Sequence, residues 1–287
     1  NTLLDETIIL GLAQGYANMG MLPMPEIQYL AYFHNACDQI RGEACSLQFF
    51  SNDQYRNPMV MRVAGLGYQR GFGGHFHNDN SVTALRDIPG LIVGCPSRVD
   101  DAAMMLRTLT AMAKVDGRVC AFLEPIALYM TKDLYEAGDA LWSTPYPAPD
   151  QALEFGAERV YHEDAKDLLI VTFGNGVPFA LRTAKAVEAQ TGKKTRVIDL
   201  RWLQPLNAKA IAKHAGDCER ILVLDEGRRS AGIGEGVITA IVEGGHGAKP
   251  LVRVVGDDTY TPLAGAANLI LPTDATVLEA ALKLVSA

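Results

Sequence analysis

The chain has 287 residues, of which 48% are hydrophobic and 21% charged, and its formal net charge is −7 at pH 7. This is the composition of an ordinary soluble globular protein, and the length favours two domains. Nucleic-acid-binding and membrane-spanning classes are excluded, because the sequence has neither a basic cluster nor an apolar run of about 20 residues.

The five cysteines are odd in number and include no C-x-x-C pair. Most have apolar neighbours, so buried free thiols in a reducing compartment are favoured over disulfides or a zinc site. The chain starts at Asn1 without a signal-peptide pattern. We expect a fragment or a processed product of a cytoplasmic protein, or of a mitochondrial matrix protein in a eukaryote.

A helix is predicted over residues 5–19, with Asp5 as its cap. Apolar residues recur along it at helical spacing, namely Ile8, Ile9, Leu12, Ala13 and Tyr16. Gly11 and Gly15 lie four residues apart and leave room for a closely packed neighbour. Glu6 lies in the first turn, where a carboxylate complements the helix dipole.

The remainder of the first half alternates strands and helices. The predicted elements are a strand at Pro25–Gln28, a helix over Tyr32–Cys45, a strand at Met59–Val63, a strand at Leu91–Cys95, a helix from Asp100 or Asp101 to about Lys114, and a strand at Val119–Leu123. The stretch Gly71–Ser81 holds two histidines, an aspartate, two asparagines and three glycines. Such a loop after a rigid strand is typical of a binding site, and a solvated turn is the alternative.

Periodicity fades from Tyr129 to about Lys166, where the proline-rich run Ser143–Pro149 indicates a linker. A second alternating block follows, with strands at Leu168–Phe173, Thr195–Leu200, Ile221–Leu224 and Leu251–Val255, and helices at Pro178–Gln190, Ala208–Ala215, Gly234–Glu243 and Thr276–Val285. This alternation predicts an α/β fold with two open parallel-sheet domains. We place them at residues 1–130 and 167–287, with the linker at 131–166.

Seven short segments follow one another along the chain: NTLLDE (1–6), PEIQY (25–29), DQI (38–40), IPGL (88–91), FLEP (122–125), VIDLR (197–201) and DEGRRSAG (225–232). In this order they resemble the beta subunit of the decarboxylating component of 2-oxo acid dehydrogenase complexes. The resemblance covers nearly the whole chain. It implies a pyrimidine-binding domain for thiamine diphosphate, followed by a transketolase-type C-terminal domain.

The resemblance also implies an activity and its partners. The family performs thiamine diphosphate-dependent oxidative decarboxylation of pyruvate or branched-chain 2-oxo acids and the reductive acylation of lipoyl groups. Its diphosphate and magnesium motif, GDG followed further on by NN, is absent from this sequence. Thiamine diphosphate is therefore expected to be shared with an alpha subunit or alpha-like region, which supplies magnesium. The other expected partners are a second copy of this chain, in a heterotetramer, and the lipoyl acyltransferase core.

Site residues follow from the same resemblance. Glu6 would hydrogen-bond the pyrimidine ring of the cofactor and control its activation, which requires a carboxyl group in a largely apolar pocket. Tyr32 would pack on the pyrimidine, and its alternative role is that of a core aromatic. The other residues expected to line this pocket are Leu4, His34 and Asn35.

Departures from the family pattern leave two points open. The family's H-S-Q-S becomes His77-Asn78-Asp79-Asn80-Ser81 here. His77 is predicted to serve the lipoyl step at the mouth of the site, and His75 is its competitor. Extra residues near Lys114–Arg118, where relatives bind potassium, leave a potassium ion open, and no metal ligand is assigned to this chain.

Two other functions stay open on the sequence. One is another transketolase-like enzyme, such as a deoxyxylulose phosphate synthase, although the segment Asp225–Gly232 fits the dehydrogenase family better. The other is a non-catalytic module that docks the acyltransferase core through its C-terminal domain. The preferred 2-oxo acid is not identified by the sequence.

Overall fold

A computed structural model describes residues 2–69 and 74–286. Three residues of the predicted loop, Gly71 to Gly73, lie outside the described residues. The elements of the first half are α1 (Glu6–Asn18), β1 (Glu26–Ile27), α2 (Leu47–Phe50), β2 (Met59–Gly65), α3 (Thr83–Arg86), β3 (Ile92–Gly94), α4 (Val99–Asp116) and β4 (Val119–Pro125). Their four strands lie parallel in the order β1-β2-β4-β3.

The elements of the second half are β5 (Arg159–Tyr161), β6 (Leu168–Thr172), α5 (Gly176–Thr191), β7 (Thr195–Asp199), β8 (Trp202–Gln204), α6 (Ala208–Asp217), β9 (Arg220–Arg228), α7 (Ile233–Ile241), β10 (Leu251–Gly256) and α8 (Asp274–Ser286). The second sheet has the order β10-β9-β6-β7-β5. Two α/β sheets covered by helices confirm the predicted fold class. Every residue of β4 and β6 is buried, as expected of parallel strands covered on both faces.

Two short edge strands depart from the purely parallel prediction. Strand β5 pairs antiparallel with β7. Strand β8, although it follows β7 in the chain, pairs antiparallel with β3 and so belongs to the first sheet. The second half of the chain therefore supplies a strand to the first sheet, and the two sheets are tied together through this strand.

The regular helix predicted over Tyr32–Cys45 is wrong. The structure has a 3-10 helix at Leu30–Ala36, followed by π-helical turns at Gln39–Ala44. The buried residues of the first segment are Leu30, Phe33 and Ala36, three apart. Because a 3-10 helix has three residues per turn, this spacing places all three side chains in one row on the buried side of the helix.

The apolar residues of α1 form two groups in the structure, one buried and one exposed. The buried residues of the helix are Leu10, Ala13 and Ala17. The exposed apolar residues are Ile8, Leu12 and Tyr16, which are 39%, 44% and 48% accessible. Neither Gly11 nor Gly15 has a neighbour within 4 Å of the position that a Cβ would occupy. Helix α1 therefore exposes a second apolar surface in addition to the one that it buries in the core.

The stretch predicted as a linker is largely irregular but well packed. Strand β5 lies within it. Trp142 is buried in the same core cluster as Leu168 and Ile170 of β6. The guanidinium of Arg107, on α4, donates hydrogen bonds to the carbonyl oxygens of Pro147, Ala148 and Gln151. The domain boundaries at 130 and 166 stay a prediction.

All five cysteines are free thiols, and Cys95, Cys120 and Cys218 are buried. Within residues 2–69 and 74–286, no helix has the length and apolar character needed to cross a membrane.

Candidate functional site

The first turn of α1 presents Glu6. Asp5 caps the helix, its Oδ1 accepting a hydrogen bond from the backbone N–H of Ile8 at 3.0 Å. Glu6 is half-buried, and its Oε2 accepts a hydrogen bond from Asn35 Nδ2 at 3.0 Å. The hydroxyl of Thr7 donates to the backbone oxygen of Asn35 at 2.9 Å. One hydrogen bond thus joins the predicted site residues Glu6 and Asn35, and a second, from Thr7, holds Asn35 against the same turn of α1.

Three aromatic rings meet at His77, and one of them, Tyr32, lies on the 3-10 helix that also carries Asn35. The rings of Tyr29 and His77 lie 4.5 Å apart between centroids, and those of Tyr32 and His77 lie 6.4 Å apart. Tyr29 and Tyr32 complete the triangle at 6.1 Å. All three pairs are edge-to-face, which is a favourable arrangement for aromatic rings. The structure therefore brings His77 to Tyr32, although 45 positions separate them in the sequence.

Tyr29 is a member of this aromatic cluster that the sequence did not single out as a site residue. It closes the matched segment PEIQY and precedes Tyr32 by three positions. Tyr29 directly precedes the 3-10 helix, where residues three apart lie above one another. The spacing of the two tyrosines could have indicated that they lie close together. That inference required knowing that the segment after Tyr29 is a 3-10 helix.

His75 lies in different surroundings from His77. It is exposed, and its ring lies 4.1 Å from Phe76 and 5.1 Å from Tyr260 between centroids. Tyr260 belongs to the second half of the chain. The two histidines that compete for the site in the sequence thus contact different groups, and only His77 contacts Tyr32.

His34 is joined to the loop that follows His77. Its Nε2 lies 3.1 Å from Ser81 Oγ, and the Ser81 hydroxyl donates to Asp79 Oδ2. Because that hydroxyl proton is used on Asp79, His34 Nε2 donates to Ser81 Oγ. The 3-10 helix Leu30–Ala36 therefore carries Tyr32, His34 and Asn35 and connects α1 with this loop.

The predicted pocket residue Leu4 is 83% exposed, so this side of the arrangement is open in the single chain. A cleft with a volume of about 1140 Å³ lies elsewhere, at the ends of β4, α5 and α8. Its lining includes Arg182 but not Glu6 or His77. Arg182 is already paired with Asp274 through contacts of 2.7 and 3.1 Å. Size alone therefore does not make this cleft the site, and the convergence of the predicted residues favours the surface beside α1.

Two buried carboxyl groups lie between the two halves of the chain. Glu226 Oε2 accepts a hydrogen bond from Gly67 N at 2.9 Å, and burial raises the pKa of this carboxyl to about 8. Asp199 Oδ2 accepts a hydrogen bond from the hydroxyl of Ser97, and burial raises the pKa of Asp199 to about 7. In the sequence, Glu226 was identified only as a member of the matched segment DEGRRSAG, and no role was assigned to it.

These two groups predict a pH dependence of stability. A carboxyl whose pKa is higher in the folded than in the unfolded protein stabilises the fold while protonated, and this stabilisation is lost as pH rises through the folded value. For Glu226 and Asp199 the window runs from their ordinary values of 4.5 and 3.8 to about 8 and 7. We expect the free energy of unfolding to fall as pH rises from about 5 to about 8, because the folded protein holds these protons over a range in which the unfolded chain has released them.

Urea unfolding at fixed protein concentration across this pH range is the measurement. Glu226→Gln should flatten the decline, since the amide does not titrate. A free energy of unfolding that rises from pH 6 to pH 8 would contradict the assignment.

Comparison with known proteins identifies the family. The family model for the transketolase C-terminal domain matches residues 157–277. The pyruvate dehydrogenase E1 component subunit beta of Staphylococcus epidermidis is 28% identical over 288 residues, covering 98% of this chain and 82% of the relative. The 3-methyl-2-oxobutanoate dehydrogenase subunit beta of Mycobacterium tuberculosis is 31% identical over 282 residues, covering 97% of this chain and 76% of the relative.

A solved structure titled split gene transketolase, inactive beta4 tetramer, covers 99% of this chain and 83% of its own. Its TM-score is 0.67 at 20% identity, so this likeness supports the fold alone. The likeness to the two beta subunits extends along nearly the whole chain, across both sheets. The chain therefore belongs to the family of beta subunits of 2-oxo acid dehydrogenases.

Proposed function

We propose that this chain is the beta half of a thiamine diphosphate-dependent 2-oxo acid dehydrogenase, acting on pyruvate or a branched-chain 2-oxo acid. Two contacts support the proposal: the hydrogen bond from Asn35 to Glu6, and the packing of His77 against Tyr32, which lies on the same 3-10 helix as Asn35. A deoxyxylulose phosphate synthase is less well supported, because the relatives that match along the whole chain are dehydrogenase subunits.

The groups on this surface fit the pyrimidine end of thiamine diphosphate. A carboxylate can share a proton with a ring nitrogen, and an aromatic face can stack on a flat heterocycle. Glu6 and Tyr32 are the residues that would hold that end, with Asn35 behind the carboxylate. When bound, thiamine diphosphate supplies the electron sink needed for loss of carbon dioxide from a 2-oxo acid.

Glu6 would act as the proton-holding group. Asn35 Nδ2 donates to Oε2 and so fixes the orientation of the carboxylate. Glu6 Oε1 would then share a proton with the ring nitrogen of the pyrimidine. General acid–base contributions of this kind are worth about 10² to 10⁴ in rate.

The remaining half of the site would come from an alpha subunit or alpha-like region. Leu3 and Leu4 are 70% and 83% exposed beside Glu6, so the carboxyl group lacks its apolar surroundings in the single chain. The sequence also lacks the diphosphate and magnesium motif of the family. We propose that the partner covers these leucines and holds the diphosphate and magnesium, and that the assembled enzyme docks on a lipoyl acyltransferase core.

His77 is proposed to serve the transfer of the acyl group to lipoyl groups. In the assembled enzyme, His77→Ala should lower acyl transfer to lipoamide by about tenfold or more, because a positioned proton-transfer group would be lost. Decarboxylation measured with an artificial electron acceptor should fall by much less. The two rates on one enzyme preparation are the measurement.

His75→Ala is the matched control, since His75 contacts Phe76 and Tyr260 and lies outside the cluster of Tyr29 and Tyr32. It should leave both rates within about twofold of the parent, as expected of a substitution at an exposed position. A larger effect from His75→Ala than from His77→Ala would transfer the role to His75.

A further inference from the structure

The loop that carries His77 packs against residues of the second half of the chain. Gly74, at its start, has φ +61°, and a Cβ added there would lie 3.1 Å from the backbone oxygen of Thr261. The hydroxyl of Thr261 donates to the backbone oxygen of Asn78 at 3.1 Å, and both residues are buried. Asn78 directly follows His77. The hydrogen bond from Thr261 therefore holds the loop at the position next to the histidine.

The side chain of Asn78 fixes the loop from the other side. Its Nδ2 donates to the backbone oxygens of Gly67 at 3.1 Å and of Gln69 at 2.7 Å. Asn80, two positions further on, is also buried and donates from Nδ2 to the backbone oxygen of Glu226. These two asparagines stand where the sequence departs from the family's H-S-Q-S, and each anchors the loop to a different segment.

Glu226 is the residue on which these contacts converge. It is almost completely buried, with an exposed fraction of 4%. Its Oε2 accepts a hydrogen bond from the backbone N–H of Gly67 at 2.9 Å. The other donor to the carboxylate among the described residues is Asn175, whose Nδ2 lies 2.9 Å from Oε1 and 3.2 Å from Oε2. The carboxyl group is therefore held entirely by neutral donors.

The peptide unit of Gly67 connects this carboxyl group to the loop. Its N–H donates to Glu226, and its carbonyl oxygen accepts from Asn78. A Cβ at position 67 would lie 3.3 Å from Glu226 Oε2 and 3.1 Å from Leu271, so glycine permits the close approach. Burying a carboxyl group without a cationic partner is costly, and such groups are concentrated at functional sites.

We propose that Glu226 is a positioning residue, which holds the loop 74–81 through Gly67 and Asn78 so that His77 stays against Tyr29 and Tyr32. The inference rests on the proposed role of His77 in acyl transfer. Glu226 contacts no reacting group itself. Its effect reaches the site through the two hydrogen bonds of Gly67 and through the backbone contact with Asn80.

The test compares Glu226→Ala with Glu226→Gln in the assembled enzyme. The alanine variant removes the acceptor of the Gly67 N–H, and we expect hydrogen exchange of the segment 74–82 to quicken by about tenfold. Acyl transfer to lipoamide should fall by about tenfold, because small displacements of a catalytic group have large effects on rate. Decarboxylation with an artificial acceptor should change by less than about twofold if only the loop is affected.

Glu226→Gln should restore both properties. The amide oxygen of glutamine can accept the N–H of Gly67. Its NH₂ group can donate to Asn175 Oδ1 once the Asn175 amide turns over, since Nδ2 faces the carboxyl group of Glu226 in the parent and Oδ1 has no hydrogen-bond partner among the described residues. Rescue by the conservative variant separates positioning by hydrogen bonds from a general loss of packing.

Asp199→Asn is the matched control. Asp199 is also buried, also joins the two halves through Ser97, and has no hydrogen bond to the loop in the described residues. It should leave exchange of 74–82 and acyl transfer near the parent values. Equal damage from Asp199→Asn, or a folded Glu226→Ala variant with parent exchange and transfer, would overturn the proposal.

Asn78→Ala is the second test if Glu226→Ala does not fold. It removes the amide that donates to the carbonyl oxygen of Gly67, which is the proposed link between Glu226 and the loop. It should quicken exchange of 74–82 and lower acyl transfer several-fold, and unchanged values would reject the proposal. If His77→Ala shows no selective loss of transfer, the proposed function fails, and the exchange data still decide whether Glu226 holds the loop.

Discussion

Replacing Glu6 by glutamine in the assembled enzyme is expected to lower turnover of the 2-oxo acid by about 100-fold or more. Glutamine keeps the size of the side chain, and its amide oxygen can still accept the hydrogen bond from Asn35 Nδ2. What it loses is the ability to hold an exchangeable proton at Oε1. Steady-state decarboxylation with an artificial electron acceptor is the measurement, with the cofactor at saturating concentration.

Glu43→Gln is the control for this substitution, because Glu43 is an exposed glutamate on the neighbouring π-helical turns. It should retain turnover within about twofold, as surface substitutions usually do. If Glu6→Gln decarboxylates at nearly the parent rate while the partner remains bound, Glu6 is not the proton-holding group.

Much of the fold could be predicted because its central strands are continuous apolar runs. Segments such as Leu168–Phe173 and Val119–Leu123 are buried on both faces, and their composition alone reveals this. The short edge strands β5 and β8 could not be predicted in this way. Each has three residues, and its pairing is decided by contacts with a distant part of the chain.

Of the candidate site residues, Glu6 belongs to a matched segment, whereas Tyr32, Asn35 and His77 were assigned from the wider resemblance. Glu6 and Asn35 are held together in the structure, and His77 lies beside Tyr32. The part played by Glu226 was not predictable, since its contact with Gly67 joins residues 159 positions apart. Such long-range hydrogen bonds depend on the packing of the two sheets, which local patterns do not encode.

The outward face of α1 leads to the second prediction with a large expected effect. Gly15→Trp should abolish assembly of this chain with a second copy. The residues around it, Ile8, Leu12 and Tyr16, form an exposed apolar surface, and nothing lies within 4 Å of a Cβ at Gly15. A side chain can therefore leave the backbone here without meeting a neighbour in the single chain, and an indole would occupy the space required by a closely packed helix. Sedimentation velocity at micromolar concentration measures the result.

Ala189→Trp is the matched control, because Ala189 is an exposed residue on α5, away from this face. It adds a comparable bulk to a helix surface and should leave assembly intact. Obligate interfaces usually bury more than about 2,000 Å² and are packed like a protein core. Such an interface has no room at its centre for an added indole. A parent protein that sediments as a stable, folded monomer, or a Gly15→Trp variant that assembles like the parent, would show that α1 packs against something other than a second copy.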